Sequence, residues 1–339
     1  MSHPITILAI ESSCDETAAS IIVDGKVLSN FIANQRIHEK YGGVVPELAS
    51  RAHLENIVPV VHQSLEEAFP HQDIYTSMQE LDAIAFTQSP GLVGSLMVGA
   101  QFAKSLALSL NKPLIGVHHM QAHVLANLIE DPKPSFPFLC LTVSGGHTQI
   151  VRCDSPAQLT IIGETIDDAA GEAFDKISKM LGLPYPGGPL IDTHAKLGNA
   201  KAFEFAIPQV PGLNYSFSGL KTSVLYFLEK QSDTFINDNI NDLCASVQHT
   251  IVTILLRKLK KAIQETGIKE ICIAGGVSAN SGLRQGILDL GTTLKVNVYL
   301  PPFQYCTDNA GMIAISAHYK YLAKDFLPLA SSVTARSDW

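Results

Sequence analysis

Charge is scarce in this sequence, and positive charge is scarcest. Only 17 % of its 339 residues are charged, with 24 Lys and Arg against 32 Asp and Glu and a net charge of −8. With 46 % apolar residues, this excludes a disordered or tail-like chain and leaves material for large cores, about two domains by length. The acidic balance argues against holding nucleic acid by bulk charge alone. The deficit is local. Residues 1–100 carry four basic and twelve acidic side chains (4 − 12 = −8), and residues 101–339 carry twenty of each. The six cysteines, at 14, 140, 153, 244, 272 and 306, include no C-x-x-C pair, so neither a zinc ribbon nor a disulfide framework is expected. No run of about 18 apolar residues lacks polar interruption, so no membrane span is expected. No signal peptide is read at the start, which points to the cytoplasm. Gly/Ser linkers are absent. So are G-x-G-x-x-G and Walker A sequences, which disfavours a Rossmann dinucleotide site and a P-loop NTPase.

What is present is one pattern, twice. Ile5 to Ile10 reads as a buried strand, followed by the polar turn Glu11 to Thr17 and a strand Ala18 to Val23. Asp24-Gly25 is a hairpin signal leading to a strand Lys26 to Ser29. About 130 residues later, Phe138 to Val143, the turn Ser144 to Thr148 and strands at 149–153 and 159–162 repeat that order. Helical spacing marks 45–69, 91–110, 118 onward, 169–181 and 239–266, with strands at 81–86, 114–117, 270–274 and 296–300. Residues 184–189 read as a Gly/Pro loop and 205–220 as an insertion or loop; a final helix begins at Thr307-Asp308. The duplication predicts an α/β protein of two related lobes facing each other across a cleft. The lobes are residues 1–130, with the helix near 307–325 packing back on them, and residues 131–306.

Several groups carry possible chemistry. His119 and His123 are four apart, on one face of a helix, where two imidazoles can share a metal or simply stand half-exposed. Met120 occupies the place where a zincin has its Glu base, so that mechanism lacks its base. Asp308 is a plausible third ligand, but its spacing suits a helix N-cap better. The turn Val143-Ser144-Gly145-Gly146-His147-Thr148 can turn backbone N–H groups toward an anion, or be an ordinary tight hairpin. Gly275-Gly276-Val277-Ser278-Ala279-Asn280 brings backbone close to a flat or anionic ligand, with Asn280 bonding it or capping the helix. Asp175, the Gly187-Gly188 loop and Asp192 suit ribose or substrate hydroxyls, or are a helix charge and a turn. Arg257, Lys258, Lys260 and Lys261 can touch RNA backbone or form a solvated helix face.

In this order, ESSCDET (11–17), GGVVPELASRAH (42–53), SPGLVGSL (89–96), HHMQAH (118–123), VSGGHT (143–148), GEAFDK (171–176), YPGGP (185–189), FSGLKT (217–222), GGVSAN (275–280) and CTDNAGM (306–312) resemble the tRNA threonylcarbamoyltransferase family in its bacterial TsaD branch. The resemblance spans almost the whole chain. Many bacterial members read HMEGH where this chain has HMQAH, with both histidines kept. The resemblance implies the two-lobed actin/sugar-kinase/Hsp70-like fold. It implies transfer of threonylcarbamoyl from threonylcarbamoyl-adenylate to N6 of the adenosine 3′ of the anticodon, in tRNAs reading codons that begin with A, with release of AMP. It places metal ligands at His119, His123 and Asp308, and adenylate contacts at Thr142, Val143, Ser144, Gly145, Gly146, Asp175, Gly188, Asp192 and Asn280. It implies one divalent metal, Fe2+ first, with Zn2+ or Mn2+ also suited to imidazole and carboxylate. The partners it implies are TsaB and the ATPase TsaE, with no membrane. Asp15 and Glu16 are candidates to accept the proton of the attacking amine. The competing reading is an ATP-dependent small-molecule kinase of the same fold.

Overall fold

The computed structural model describes residues 3–35, 38, 41–232 and 234–336. The chain divides into two compact units, Met1–Lys133 with Pro302–Trp339, and Pro134–Pro301.

The first unit is built on a five-stranded sheet of β1 (Thr6–Glu11), β2 (Glu16–Val23), β3 (Lys26–Asn34), β4 (Ala83–Ser89) and β5 (Leu114–His118), in the order β3-β2-β1-β4-β5. β1 is a continuous buried run, as a central strand covered on both faces must be. It pairs antiparallel with β2 and parallel with β4. The β2–β3 hairpin turns through Asp24 and Gly25, both with positive φ (46° and 79°), the backbone of a type I′ turn. β3 is longer than its sequence suggests because it is a half-exposed edge strand with no clean alternation. The helices are α1 (Pro46–Ala68), α2 (Ile74–Gln79), α3 (Val93–Leu110) and α4 (His119–Leu125). α1 buries Ala49, Ile57, Val60, Val61 and Leu65 against the sheet. α3 is long and apolar enough to cross a membrane by length and composition. Here its face of Ser95, Leu96, Gly99, Ala100, Ala103 and Ala107 is buried, and the helix packs on β4 and α1.

The second unit repeats this topology. β6 (Phe138–Val143), β7 (Thr148–Ser155), β8 (Gln158–Glu164), β9 (Glu270–Ala274) and β10 (Asn297–Tyr299) lie in the order β10-β9-β6-β7-β8. As in the first unit, a central strand feeds an antiparallel meander on one side and two parallel strands on the other. Its helices are α5 (Ala170–Met180), α6 (Gly187–Ala195), α7 (Ser218–Leu228), α8 (Phe235–Thr266) and α9 (Ser281–Leu294). Two expectations are corrected. The Gly/Pro segment is helical from Gly187, because Pro186 stands just before the first turn and Pro189 within it, where no intrahelical N–H is needed. The supposed loop 205–220 gives way to α7 at Ser218, whose start is bonded by the Asp167 carboxylate through Phe217 N–H at 2.8 Å and the Ser218 hydroxyl.

The last helix, α10 (Ala310–Leu322), belongs to the first unit and packs on β1 and β2. It starts at Ala310, three residues after Thr307. Its N-cap is Asn309, whose Oδ1 accepts from Met312 N–H at 3.0 Å. Asp308 is therefore not the cap.

Candidate metal centre

β5 runs directly into α4, which puts His119 and His123 on successive turns of one face. Their rings meet edge to face with centroids 4.7 Å apart. With Asn309 capping α10, Asp308 is free to turn inward. Its Oδ1 lies 3.1 Å from His123 Nε2 and 3.4 Å from His119 Nε2. One ligand atom from each residue falls within 4.8 Å of the others. His123 is fully buried and His119 nearly so. Two imidazoles and one carboxylate, converging from a helix and the turn before another, fit a divalent metal with coordination positions left open. The kinase reading, by contrast, asks for Mg2+, which prefers oxygen donors.

The electrostatics agree. Burial disfavours charge on His119, but the carboxylates of Asp308 and Glu11 outweigh it and raise its pKa well above the ordinary imidazole range. Burial likewise opposes charge on Asp308, yet His119 and His123 hold its carboxyl far below the usual range. The metal-free site thus balances buried carboxylates with a proton on imidazole. A metal must displace that proton, so binding is linked to proton release. We predict that apparent Zn2+ affinity rises with pH through and beyond the ordinary imidazole range, with proton uptake or release followed by calorimetry in two buffers. An affinity flat from about pH 6 to 8 would contradict this proton competition.

Around the triad lies the turn after β1, which is held from several sides. Glu11 bonds His119 Nδ1 at 3.1 Å. Ser95 Oγ and His53 Nε2 both reach the Cys14 carbonyl, at 3.1 and 3.0 Å, and Thr17 Oγ1 lies 2.7 Å from His53 Nδ1. Leu92 N–H donates to the Ser13 carbonyl at 2.8 Å, and a Cβ on Gly91 would come within 2.5 Å of that oxygen. The motifs at 42–53 and 89–96 therefore do structural work on this turn. Glu11, His53 and Thr87 were not among the sequence candidates, and Ser13 was one only as part of the turn after β1. The signal for Glu11 was present: an acid ending a strand that is otherwise wholly apolar.

Asp15 lies on the same turn and Glu16 is the first residue of β2, both partly exposed. Burial, then the charges of Asp308, Asp15 and Glu11, push the Glu16 carboxyl up to about 9. Nearby positive charge would bring it down.

The other candidates gather in the second unit. Thr142 and Val143 are buried at the end of β6. Ser144 closes the turn, its N–H donating to the His147 carbonyl at 2.8 Å and its Oγ accepting from His147 N–H at 3.1 Å. Gly145 and Gly146 are exposed, with open space where a Cβ would stand. Gly171 N–H bonds the Ser144 carbonyl at 3.2 Å. Asp175 accepts from Gly187 N–H at 2.8 Å, and burial raises its pKa. A Cβ on Gly188 would make ordinary contact with Phe174 at 3.9 Å. Asp192 accepts from Ser281 N–H at 3.1 Å and its hydroxyl at 2.6 Å, next to Asn280. Asn280 caps α9 through Leu283 N–H at 2.9 Å and donates to Gln248 Oε1 at 2.7 Å. Gly275, against the Val143 carbonyl, closes the circle. Segments 143–148, 171–176, 185–192 and 275–281 of this unit thus contact one another in turn. In the basic run, Lys258 Nζ donates to the Val210 and Gly212 carbonyls and Lys261 Nζ to Gly212, while Arg257 and Lys260 are exposed.

By fold, the chain is similar to HypF of T. kodakarensis (TM-score 0.67, 14 % identity, 95 % of this chain and 49 % of that one). It is also similar to a ROK family protein of Streptococcus pneumoniae (TM-score 0.52, 13 % identity, 95 % and 99 %). The fold is of the actin/sugar-kinase/Hsp70 type. By sequence, a tRNA N6-adenosine threonylcarbamoyltransferase of Christiangramia forsetii is 57 % identical over 98 % of this chain and 97 % of its own. A family profile described as TsaD: tRNA N6-adenosine threonylcarbamoyltransferase matches residues 26–315. With that match and that identity, the chain belongs to the TsaD family of tRNA N6-adenosine threonylcarbamoyltransferases.

Proposed function

We propose that this chain transfers the threonylcarbamoyl group of threonylcarbamoyl-adenylate to N6 of the adenosine 3′ of the anticodon in tRNAs reading codons that begin with A. The observation that carries the reading is the His119–His123–Asp308 cluster in a chain of this family. In the reaction the N6 amine forms a bond to the carbamoyl carbon, the bond from that carbon to the phosphate oxygen breaks, AMP leaves, and N6 loses a proton. AMP is a good leaving group, so orientation and charge stabilisation are what the protein adds.

His119, His123 and Asp308 would hold the metal. Bound there, a divalent ion supplies Lewis-acid and template chemistry toward substrate oxygens. Fe2+ is the first expectation, since two histidines and a carboxylate suit non-haem iron, with Zn2+ and Mn2+ as alternatives. The exposed N–H groups of Gly145 and Gly146 would hold phosphate or carbonyl oxygen. Thr142, Val143 and Ser144 shape that turn, and Asp175, Gly188, Asp192 and Asn280 frame the nucleoside. Asp15 and Glu16 are the candidate proton acceptors. Glu16 serves only once positive charge has lowered its pKa, which makes Asp15, beside it on the turn, the other candidate.

The proposed setting is the cytoplasm, with TsaB and TsaE as partners. Leu54 and Val58 stand exposed on α1, the acidic half's long helix, and suit a protein partner. The net charge of residues 1–100 predicts that the isolated chain binds tRNA weakly and that its partners present the RNA. Tight, strongly salt-dependent tRNA binding by the chain alone, read by filter binding, would contradict this. The activity is tested by incubating the chain with partners, tRNA and threonylcarbamoyl-adenylate and finding N6-threonylcarbamoyladenosine by nucleoside mass spectrometry. ATP-dependent phosphorylation of a small substrate instead would revive the kinase reading.

A further inference from the structure

Glu11 ends β1, the middle strand of the first sheet, and is completely buried. Three groups converge on its carboxylate. Ser13 N–H donates to Oε1 at 2.5 Å, the Thr87 hydroxyl donates to Oε2 at 2.7 Å, and His119 Nδ1 lies 3.1 Å from Oε2. The Ser13 hydroxyl also lies 3.2 Å from that Nδ1; a hydroxyl can accept or donate but an ionised carboxylate only accepts, so the arrangement that satisfies both has the proton on Nδ1. Nε2 of the same ring points the other way, to Asp308 Oδ1 at 3.4 Å. His123 has no such support: its Nδ1 is buried without a hydrogen-bond partner among the described residues.

We infer that Glu11 is a positioning residue for the metal site. It locks the His119 ring and its Nδ1–H form, so that Nε2 is the nitrogen offered to the ion. Thr87 and Ser13 in turn hold the carboxylate, so the β1 and β4 ends and the turn between β1 and β2 set the orientation of a ligand on α4. Such outer carboxylates fix a ligating imidazole's tautomer and raise its basicity. The inference rests on the metal reading of the triad.

The test uses the full chain and Zn2+ as the probe. In 15N-histidine-labelled, Zn2+-loaded protein, His119 should keep its proton on Nδ1 and bind through Nε2, with the signal assigned by its loss in His119→Ala. Metal on Nδ1 of His119 overturns the inference. Glu11→Gln keeps the side chain's shape and removes its charge. It should weaken Zn2+ binding by about 10–100-fold in chelator competition. Wild-type affinity in a folded Glu11→Gln chain also overturns it. Should Glu11→Gln fail to fold, the wild-type NMR result still decides. If His119→Ala and His123→Ala bind Zn2+ as tightly as wild type, the triad reading itself fails, and the inference falls with it.

Discussion

The variant carrying both His119→Ala and His123→Ala is expected to retain no bound divalent metal and to lose threonylcarbamoyl transfer by on the order of 10²–10³-fold or more. Asp308 alone cannot hold a transition metal against water, because two of the three converging donors are gone. The substitutions also act on the fold. Asp308 and Glu11 would each lose the imidazole that balances their charge. Breaking a buried pair in this way costs about 3–5 kcal/mol. Melting of the variant must therefore be followed alongside activity, and a second route to the same state is needed. Chelator-stripped wild type should lose transfer and regain it on adding metal, with its fold intact throughout. A metal-free double variant that modifies tRNA at the wild-type rate would remove the metal from the reaction.

The triad was partly legible in the sequence. The i, i+4 spacing of His119 and His123 stated their common face. The duplicated strand–turn–strand pattern stated the topology that β1–β3 and β6–β8 now show. Asp308 was harder, because Thr307, Asp308 and Asn309 are all good caps and only geometry shows that Asn309 takes the role. That single choice releases Asp308 to the histidines. Glu11 was illegible as a partner of His119 because 108 residues separate them, and no local pattern encodes a contact between the end of β1 and the start of α4, with β4 lying between β1 and β5. The basic run left two readings open, a solvated helix face or an RNA contact, and the structure adds one detail. Lys258 and Lys261 lie on the face of α8 that reaches a loop, and their ammonium groups are taken by its carbonyls.

Gly275→Ala is expected to abolish transfer while leaving Zn2+ binding at His119, His123 and Asp308 unchanged. Gly275 follows β9 with φ 85° and ψ 164°, a backbone region essentially closed to residues with a Cβ, at a cost of about 1–3 kcal/mol. The added carbon would also lie 2.4 Å from the Val143 carbonyl oxygen and 2.8 Å from its carbon. These are backbone atoms of the neighbouring strand and cannot rotate aside. Either the pairing of Thr142 with Ala274 opens or the Gly276–Ala279 turn is displaced. Both outcomes move the proposed adenylate frame, since Val143 leads into the Ser144–Gly146 turn and Asn280 closes the other side. The melting transition of the second unit should fall by about 2–4 °C for each kcal/mol lost. AMP binding, measured by calorimetry, should vanish. Gly276→Ala is the control, because open space surrounds that position and the chain should melt as wild type. The triad lies wholly in the first unit, so its Zn2+ affinity reports that unit's integrity independently. Wild-type AMP affinity and transfer in Gly275→Ala would show that the GGVSAN turn has no part in holding the adenylate.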